Sequence, residues 1–314
     1  MTATTAAMLA AMESVVDGNA RAVRTAVLVL LAGGHLLVED VPGVGKTLLA
    51  KALARTVGGT VNRIQFTPDL LPSDVTGVSV FNQERHCFEF RPGAVFANIV
   101  IGDEINRASA KTQSALLECM EEHQVTVDGS THRLDEPFMV VATQNPVESE
   151  GTYPLPEAQR DRFMARITMG YPDEEAELRM LRTHHGPLPS AAPVNRLSAV
   201  TGTAEVLGMI EAVARVHVSE PVARYVVALG RASREHPDVL VGASPRSLVQ
   251  LVRAAKAEAA LCGRSYVTPQ DVAEVAGVVL PHRLMLRRRA AHDAVQAEAV
   301  TGRILHSVPA PSGT

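Results

Sequence analysis

Five residues in the first half of this sequence are of the types that bind and cleave phosphate esters, and their spacing sets the problem. Lys46 and Thr47 close the stretch 39–47, EDVPGVGKT; Asp103 and Glu104 end the apolar run 99–104, IVIGDE; Asn145 lies near the end of 138–146, FMVVATQNP. A short apolar run, a Gly-rich turn and a helix-favouring segment follow one another around Lys46, the order a phosphate-binding loop requires. In such a loop backbone N–H groups and the positive end of a helix dipole converge on an anion. Asp40, Val41, Pro42, Gly43, Val44, Gly45 and Leu48 would line the phosphates of ATP. Lys46 would reach the β- and γ-phosphates, and the Thr47 hydroxyl would ligand Mg²⁺. The pattern G-x-x-x-x-G-K-[ST] asks for glycine where this chain has Asp40, whereas Gly43 and Gly45 are in place.

The carboxylates would divide two tasks: Asp103 holds Mg²⁺, and Glu104 orients and deprotonates the attacking water. An apolar strand ending in acids is common by itself. Lying 57 residues after Lys46 in an alternating α/β pattern, this one gains a functional reading. Asn145 is compatible either with a polar site residue or with a turn opening before Pro146.

These groups need elements to position them. The sequence predicts helices over about 6–16 and from 20 to Gly33-Gly34, a strand at 35–38, and a helix after the loop. A strand at 61–66 and a Pro/Asp-punctuated loop at 67–77 come next. Hairpins are predicted over 78–93 and 124–134, the second turning at Asp128-Gly129. Strands at 97–104 and 138–146 flank a helix over 111–122. Strands apolar throughout and alternating with helices argue for a parallel sheet covered on both faces, with function at the carboxyl ends of its strands. After 166–177 the pattern changes. A Pro/Ala/Ser linker at 186–193 precedes helices around 205–213, 220–236, 245–262 and 269–280. The expected organisation is an α/β nucleotide-binding core over 1–185 and an all-helical domain over 186–314.

Composition narrows the function classes. The chain has 314 residues, 46% of them apolar, enough to bury a sizeable core. A net charge of −4 gives no support to a nucleic-acid binder acting through bulk charge. Cys87, Cys119 and Cys262 are far apart, with no CxxC spacing, and are expected to be free thiols in a reducing cytoplasm. The longest apolar run, AVLVLLA at 26–32, is too short for a membrane span, and the first residues lack the basic region of a signal peptide. His184-His185 and Arg287-Arg288-Arg289 are expected to be exposed or structural.

Nearly all of the chain resembles the MoxR family of AAA+ ATPases. The strings that carry the resemblance are HLLVEDVPGVGKT, RIQFTPDLLPSDVTG, GDEINRASAKTQSALLECMEE, ATQNPVESEGTYPLPEAQRDRF and GASPRSL. The resemblance implies a P-loop core with a helical lid, and Mg²⁺-dependent ATP hydrolysis by a ring, a hexamer in the family, that remodels or matures a protein client. Clients and partners there are often von Willebrand factor A-domain proteins. It implies that Asn145 is the sensor 1 residue, bridging the γ-phosphate and the water. Arg162, in DRF, is the arginine finger acting on the neighbouring subunit's nucleotide, with Arg160 as an alternative. Arg246 is sensor 2, closing the lid onto the phosphates of the same subunit. Gly18 stands where the family contacts adenine, although Asn19 replaces the usual glutamine. The hairpins correspond to family inserts that face a central pore or a partner. Competing readings are a slow nucleotide-gated switch, a subunit like the magnesium-chelatase motor, and a DNA motor.

Overall fold

The computed structural model describes residues 1–41, 43–145, 153, 155–171, 174–175, 177–178, 193–287 and 293–311. Five parallel strands form the central sheet: β1 Leu36–Glu39, β2 Val61–Gln65, β5 Ile99–Asp103, β8 Met139–Gln144 and β9 Ala165–Ile167. Their spatial order is β2-β5-β8-β1-β9. Strand β1 is clamped on both sides, with Leu36 opposite Val141 of β8 and Ala165 of β9. The predicted strand at 35–38 is shifted by one residue. His35 instead sits at the amino edge of the sheet, its ring bonded to the Met120 carbonyl and its own carbonyl accepting from the Met164 N–H at 2.8 Å. Strand β9 is three residues long and was not anticipated.

Side chains alternate between two cores. Leu36 and Val38 face one with helices α1 (Thr2–Glu13), α2 (Ala20–Leu31) and α3 (Lys46–Thr56). Leu37 faces the other with Leu116, Leu117 and Met120 of helix α5 (Ala110–Glu122). Because both faces are covered, β5 and β8 can be apolar throughout. Truncating Leu37, fully buried, to alanine should cost about 2–5 kcal/mol. Helix α2 carries the run AVLVLLA and is buried around nearly its whole circumference, which accounts for its unbroken apolar character. Among the described residues no helix is long and apolar enough to cross a membrane.

Short helix α4 (Pro72–Thr76) leads into hairpin β3 (Gly77–Asn82) and β4 (Cys87–Pro92), and β6 (Gln124–Val127) pairs with β7 (Ser130–Arg133). Asp128 and Gly129 both have positive φ, as a tight hairpin turn demands. Phe90 and His132 stack at 3.8 Å, joining the two hairpins. Helix α6 (Glu157–Arg160) precedes β9.

The C-terminal region contains α7 (Thr203–Ala214), α8 (Glu220–Glu235), α9 (Pro245–Leu261) and α10 (Pro269–Val279), matching the four expected helices. Ser244 caps α9 by accepting from the Ser247 N–H at 3.1 Å, with Pro245 at the first helical position. A two-stranded ribbon, β10 (Val239–Val241) with β11 (Met285–Leu286), and a further helix, α11 (Asp293–Ser307), were not foreseen. The expected linker boundary near residue 187, His184-His185 and Arg288-Arg289 lie outside the described residues. All three cysteines are free, Cys119 buried and the others exposed.

Candidate active site

Helix α3 begins at Lys46, directly after Gly45, whose φ of 95° no side-chain-bearing residue adopts readily. A Cβ placed on Gly43 would meet nothing within 4 Å, so the loop backbone is open to an approaching anion. Lys46 Nζ donates to the Asp40 carbonyl at 2.7 Å and to the Gln144 carbonyl at 3.3 Å. Thr47 Oγ1 lies 3.3 Å from both carboxylate oxygens of Asp103. Oxygen-only donors of this kind, a hydroxyl beside a carboxylate, fit Mg²⁺, which is usually completed by water and substrate phosphates. Among the described residues no group of three His, Cys, Asp or Glu side chains could hold a metal unaided. Pro42 lies outside the described residues.

Asp103 is buried and carries two further contacts. Thr143 Oγ1 donates to it at 3.3 Å, and Arg63 Nε of β2 donates at 2.6 Å. Glu104 adopts the left-handed conformation, φ 58° and ψ 49°, uncommon for a residue with a Cβ. Its N–H donates to Thr143 Oγ1 at 3.0 Å. Its carboxylate accepts from Gln65 Nε2 at 2.9 Å and from Arg107 Nη1 at 3.0 Å. Asn145 is buried just past β8, and its carbonyl accepts from Asn106 Nδ2 at 3.5 Å. The carboxyl ends of β1, β5 and β8 therefore bring Lys46, Thr47, Asp103, Glu104 and Asn145 into one crevice.

Asp40 does more at this crevice than substitute for glycine. Its Oδ1 accepts from the Val41 N–H at 2.8 Å. Its Oδ2 accepts from the N–H groups of Met169 and Gly170 at 2.7 and 2.6 Å. The carboxylate thus fastens the chain leaving β9 to the start of the phosphate loop. Nearby, a cavity of about 330 Å³ is lined by Gly18, Asn19, Arg166, Met169 and, from the lid, Gly277 and Val278. Arg166 is buried and pairs with Glu39 at 2.9 Å and with Glu298 of α11 at 3.2 Å, which ties the last helix to the sheet.

The two remaining arginines stand elsewhere. Arg162 Nη2 lies 3.1 Å from Glu121 Oε2, and Arg246 Nη1 lies 3.0 Å from Glu121 Oε1. Glu121 is next to Met120, whose carbonyl receives the His35 ring N–H at 2.9 Å, and His35 immediately precedes β1. Arg162 and Arg246 therefore sit at the amino ends of the strands, with the phosphate loop at the carboxyl ends. The expectation that Arg246 closes onto its own subunit's phosphates does not hold in this arrangement. The reason is the docking of α9: Ser244 and Ser247 donate to Asp161 at 3.2 Å each, and the buried Arg283 Nε donates to it at 2.7 Å. Asp161 thereby pins the start of α9 beside Arg162. Arg160 faces Glu157 of its own turn at 4.0 Å and does not join this cluster.

Sequence reasoning missed Arg63, Gln65, Glu121 and Asp161. For Gln65 a signal existed: in an alternating strand paired with β5 it falls opposite Asp103.

Comparison with known proteins agrees with this fold. Residues 35–165 match the profile of the ATPase family associated with various cellular activities (AAA), and residues 231–304 match an AAA lid domain. The chain is 44% identical over 306 residues to the chaperone MoxR1 of Mycobacterium tuberculosis, covering 95% of this chain and 80% of that one. It is 50% identical over 282 residues to the uncharacterized protein YeaC of Bacillus subtilis, covering 90% and 87% respectively. A crystal structure from Cytophaga hutchinsonii, described as a candidate ATPase, superposes with a TM-score of 0.89 at 40% identity over 99% of this chain and 96% of that one.

Proposed function

Starting from the membership of this chain in the MoxR family of AAA+ ATPases, we propose that it hydrolyses ATP with Mg²⁺ at the junctions of a homo-oligomeric ring and uses the cycle to remodel a protein client. The observation that carries the ring is the placement of the arginines. Arg162 and Arg246 face away from the crevice holding Lys46 and Glu104, which supports their acting on a nucleotide presented by another subunit. A hexamer is the ring size that the family resemblance favours.

Bound at the loop, ATP and Mg²⁺ supply the γ-phosphoryl group and the cation that offsets its charge. The chain's own groups do the rest. Lys46, now donating to two carbonyls, would bind phosphate oxygens, a stronger partner for an ammonium. Thr47 and Asp103 would hold the cation. Glu104, fixed at its backbone by Thr143 and at its carboxylate by Gln65 and Arg107, accepts the proton of the attacking water. Asn145 orients that water. The neighbour's Arg162 and Arg246 would stabilise charge developing on the transferred group, a task suited to planar guanidinium. The cavity beside Gly18 takes the purine. Hairpin β3–β4 presents Phe81 and Phe88, exposed and packed edge-to-face at 5.3 Å, as a surface for a client. A von Willebrand factor A-domain protein is the client class that the resemblance favours.

The test is a pair of variants and a mixture. Lys46→Ala should lose ATP binding, and Glu104→Gln should bind ATP and release phosphate at least 100-fold more slowly, on the order expected for loss of a general base. Mixing Arg162→Ala with Glu104→Gln should restore part of the turnover, because the first donates an intact Glu104 and the second an intact arginine. No recovery at any ratio, with assembly confirmed, would refute action between subunits.

A further inference from the structure

One carboxylate holds both arginines of the distal cluster, one oxygen to each. Glu121 Oε2 is 3.1 Å from Arg162 and Glu121 Oε1 is 3.0 Å from Arg246. The three side chains line a cavity of about 570 Å³, together with His35, Gln250 and Arg253. Arg253 is already engaged, donating to the carbonyls of Ala32 and Gly33 at 2.8 Å each. Arg162 and Arg246 are engaged by Glu121, which is 38% exposed and so within reach of an incoming group. A carboxylate bridging two guanidinium groups has the charge sign, the oxygen geometry and the hydrogen-bond pattern of a phosphate edge.

Two restraints keep Glu121 in place. It lies in the last turn of α5, where the Met120 carbonyl is tied to the His35 ring at 2.9 Å. From the other side, Asp161 fixes both the segment bearing Arg162 and the helix start bearing Arg246. Neither arginine can follow a phosphate without leaving or sharing Glu121.

We propose that Glu121 is an internal stand-in for the neighbouring subunit's phosphate, holding Arg162 and Arg246 side by side until nucleotide in the next subunit takes its place. The proposal rests on the reading that both arginines act across the subunit junction. Glu121 is a positioning residue, and its effect falls on assembly rather than on the chemistry alone. Holding the pair lowers the affinity of the arginine face for a neighbour's nucleotide, so that more protein is needed to assemble at a given nucleotide concentration.

The assay is nucleotide-driven assembly of the full chain, followed by sedimentation with a non-hydrolysable ATP analogue and Mg²⁺. Arg162→Ala and Arg246→Ala should raise the protein concentration needed for half-assembly. Glu121→Gln removes the charge with little change of shape and should lower that concentration about three- to tenfold, in line with release of two partly exposed ion pairs. Without nucleotide, Glu121→Gln should not assemble. Glu122→Gln, the same charge change one residue on, should leave the midpoint unmoved. Should Glu121→Gln fail to fold, Glu121→Asp keeps the charge on a shorter arm and should shift the midpoint in the same direction, by less. If the arginine variants weaken assembly and Glu121→Gln leaves it unchanged or weakens it, the stand-in is wrong and the junction reading survives. If the arginine variants assemble like the parent chain, the junction reading fails, and the stand-in with it. An equal gain from Glu122→Gln would reduce the effect to bulk charge and overturn the proposal.

Discussion

Acidification should weaken this fold through His35 over a defined interval. The ring is fully buried, with Nδ1 accepting from the Val140 N–H at 3.0 Å, which obliges Nε2 to carry the proton it donates to the Met120 carbonyl. A second proton would have to sit on Nδ1 and point at another N–H. Burial first, and nearby positive charge from His123, Arg253 and Arg246 after it, press its pKa down to about 4 from 6.5. The sign follows from linkage. Below pH 6.5 the unfolded chain binds a proton that the folded chain refuses, so stability is complete above that value and is lost as pH falls towards 4. A gap of about 2.5 between the two values, at roughly 1.36 kcal/mol per pH unit, amounts to about 3 kcal/mol. Between pH 7.5 and 5.5 the loss from His35 should be about 1 kcal/mol. His282, buried against the Phe163 carbonyl and also lowered, chiefly by burial and then by Arg283, adds to it with the same sign. Urea unfolding of the parent chain and of His35→Gln at these two pH values isolates the term, because Gln does not titrate there. The variant will be less stable throughout, yet should lose about 1 kcal/mol less than the parent on acidification. An equal pH-dependent loss in the two proteins would mean that His35 titrates normally in the folded state, refuting the neutral-tautomer argument.

Three other perturbations test other parts of the structure. Asp40→Ala removes the acceptor of three N–H groups and should lower stability by about 2 kcal/mol; amide exchange at Met169 and Gly170 should rise, and unchanged protection there would show that the clamp does not form. Arg63→Gln removes a cation from Asp103 and should tighten Mn²⁺ binding in the presence of ADP a few-fold, read by EPR; weaker binding would mean that Arg63 supports the cation site. Gly93→Ala would place a Cβ 2.4 Å from the Val75 carbonyl oxygen and the Gly77 nitrogen. It should destabilise by about 3 kcal/mol, as overpacking against backbone does, and a thermal midpoint equal to the parent's would contradict the close approach.

The phosphate loop and the Asp103–Glu104 pair were legible in the sequence because each is a local pattern, a glycine turn or an apolar strand with acids at its end. Arg63 and Thr143 were not. Each is an ordinary polar position on its own strand and becomes a partner of Asp103 or Glu104 only through the order β2-β5-β8. The N-cap of α9 at Ser244-Pro245 was predictable for the same local reason as the loop. Which end of the sheet that helix packs against was not, because Asp161, 83 residues from Ser244, decides it. Asp40 departs from the motif's glycine, and its clamp was not legible because its partners at 169 and 170 lie across the fold.

Strand β1 has a consequence for how events at one junction could reach the next. Four residues, about 13 Å of extended chain, separate His35, which secures the turn bearing Glu121, from the entry to the phosphate loop. Parallel neighbours bond it along both edges, and its apolar side chains are gripped above and below. An element held on four sides transmits displacement as a strut does, without slack. In the proposed ring every subunit would then be a link of fixed length between its own nucleotide and its neighbour's, and the sites would be coupled in series, as the links of a chain under load are, rather than by independent hinges.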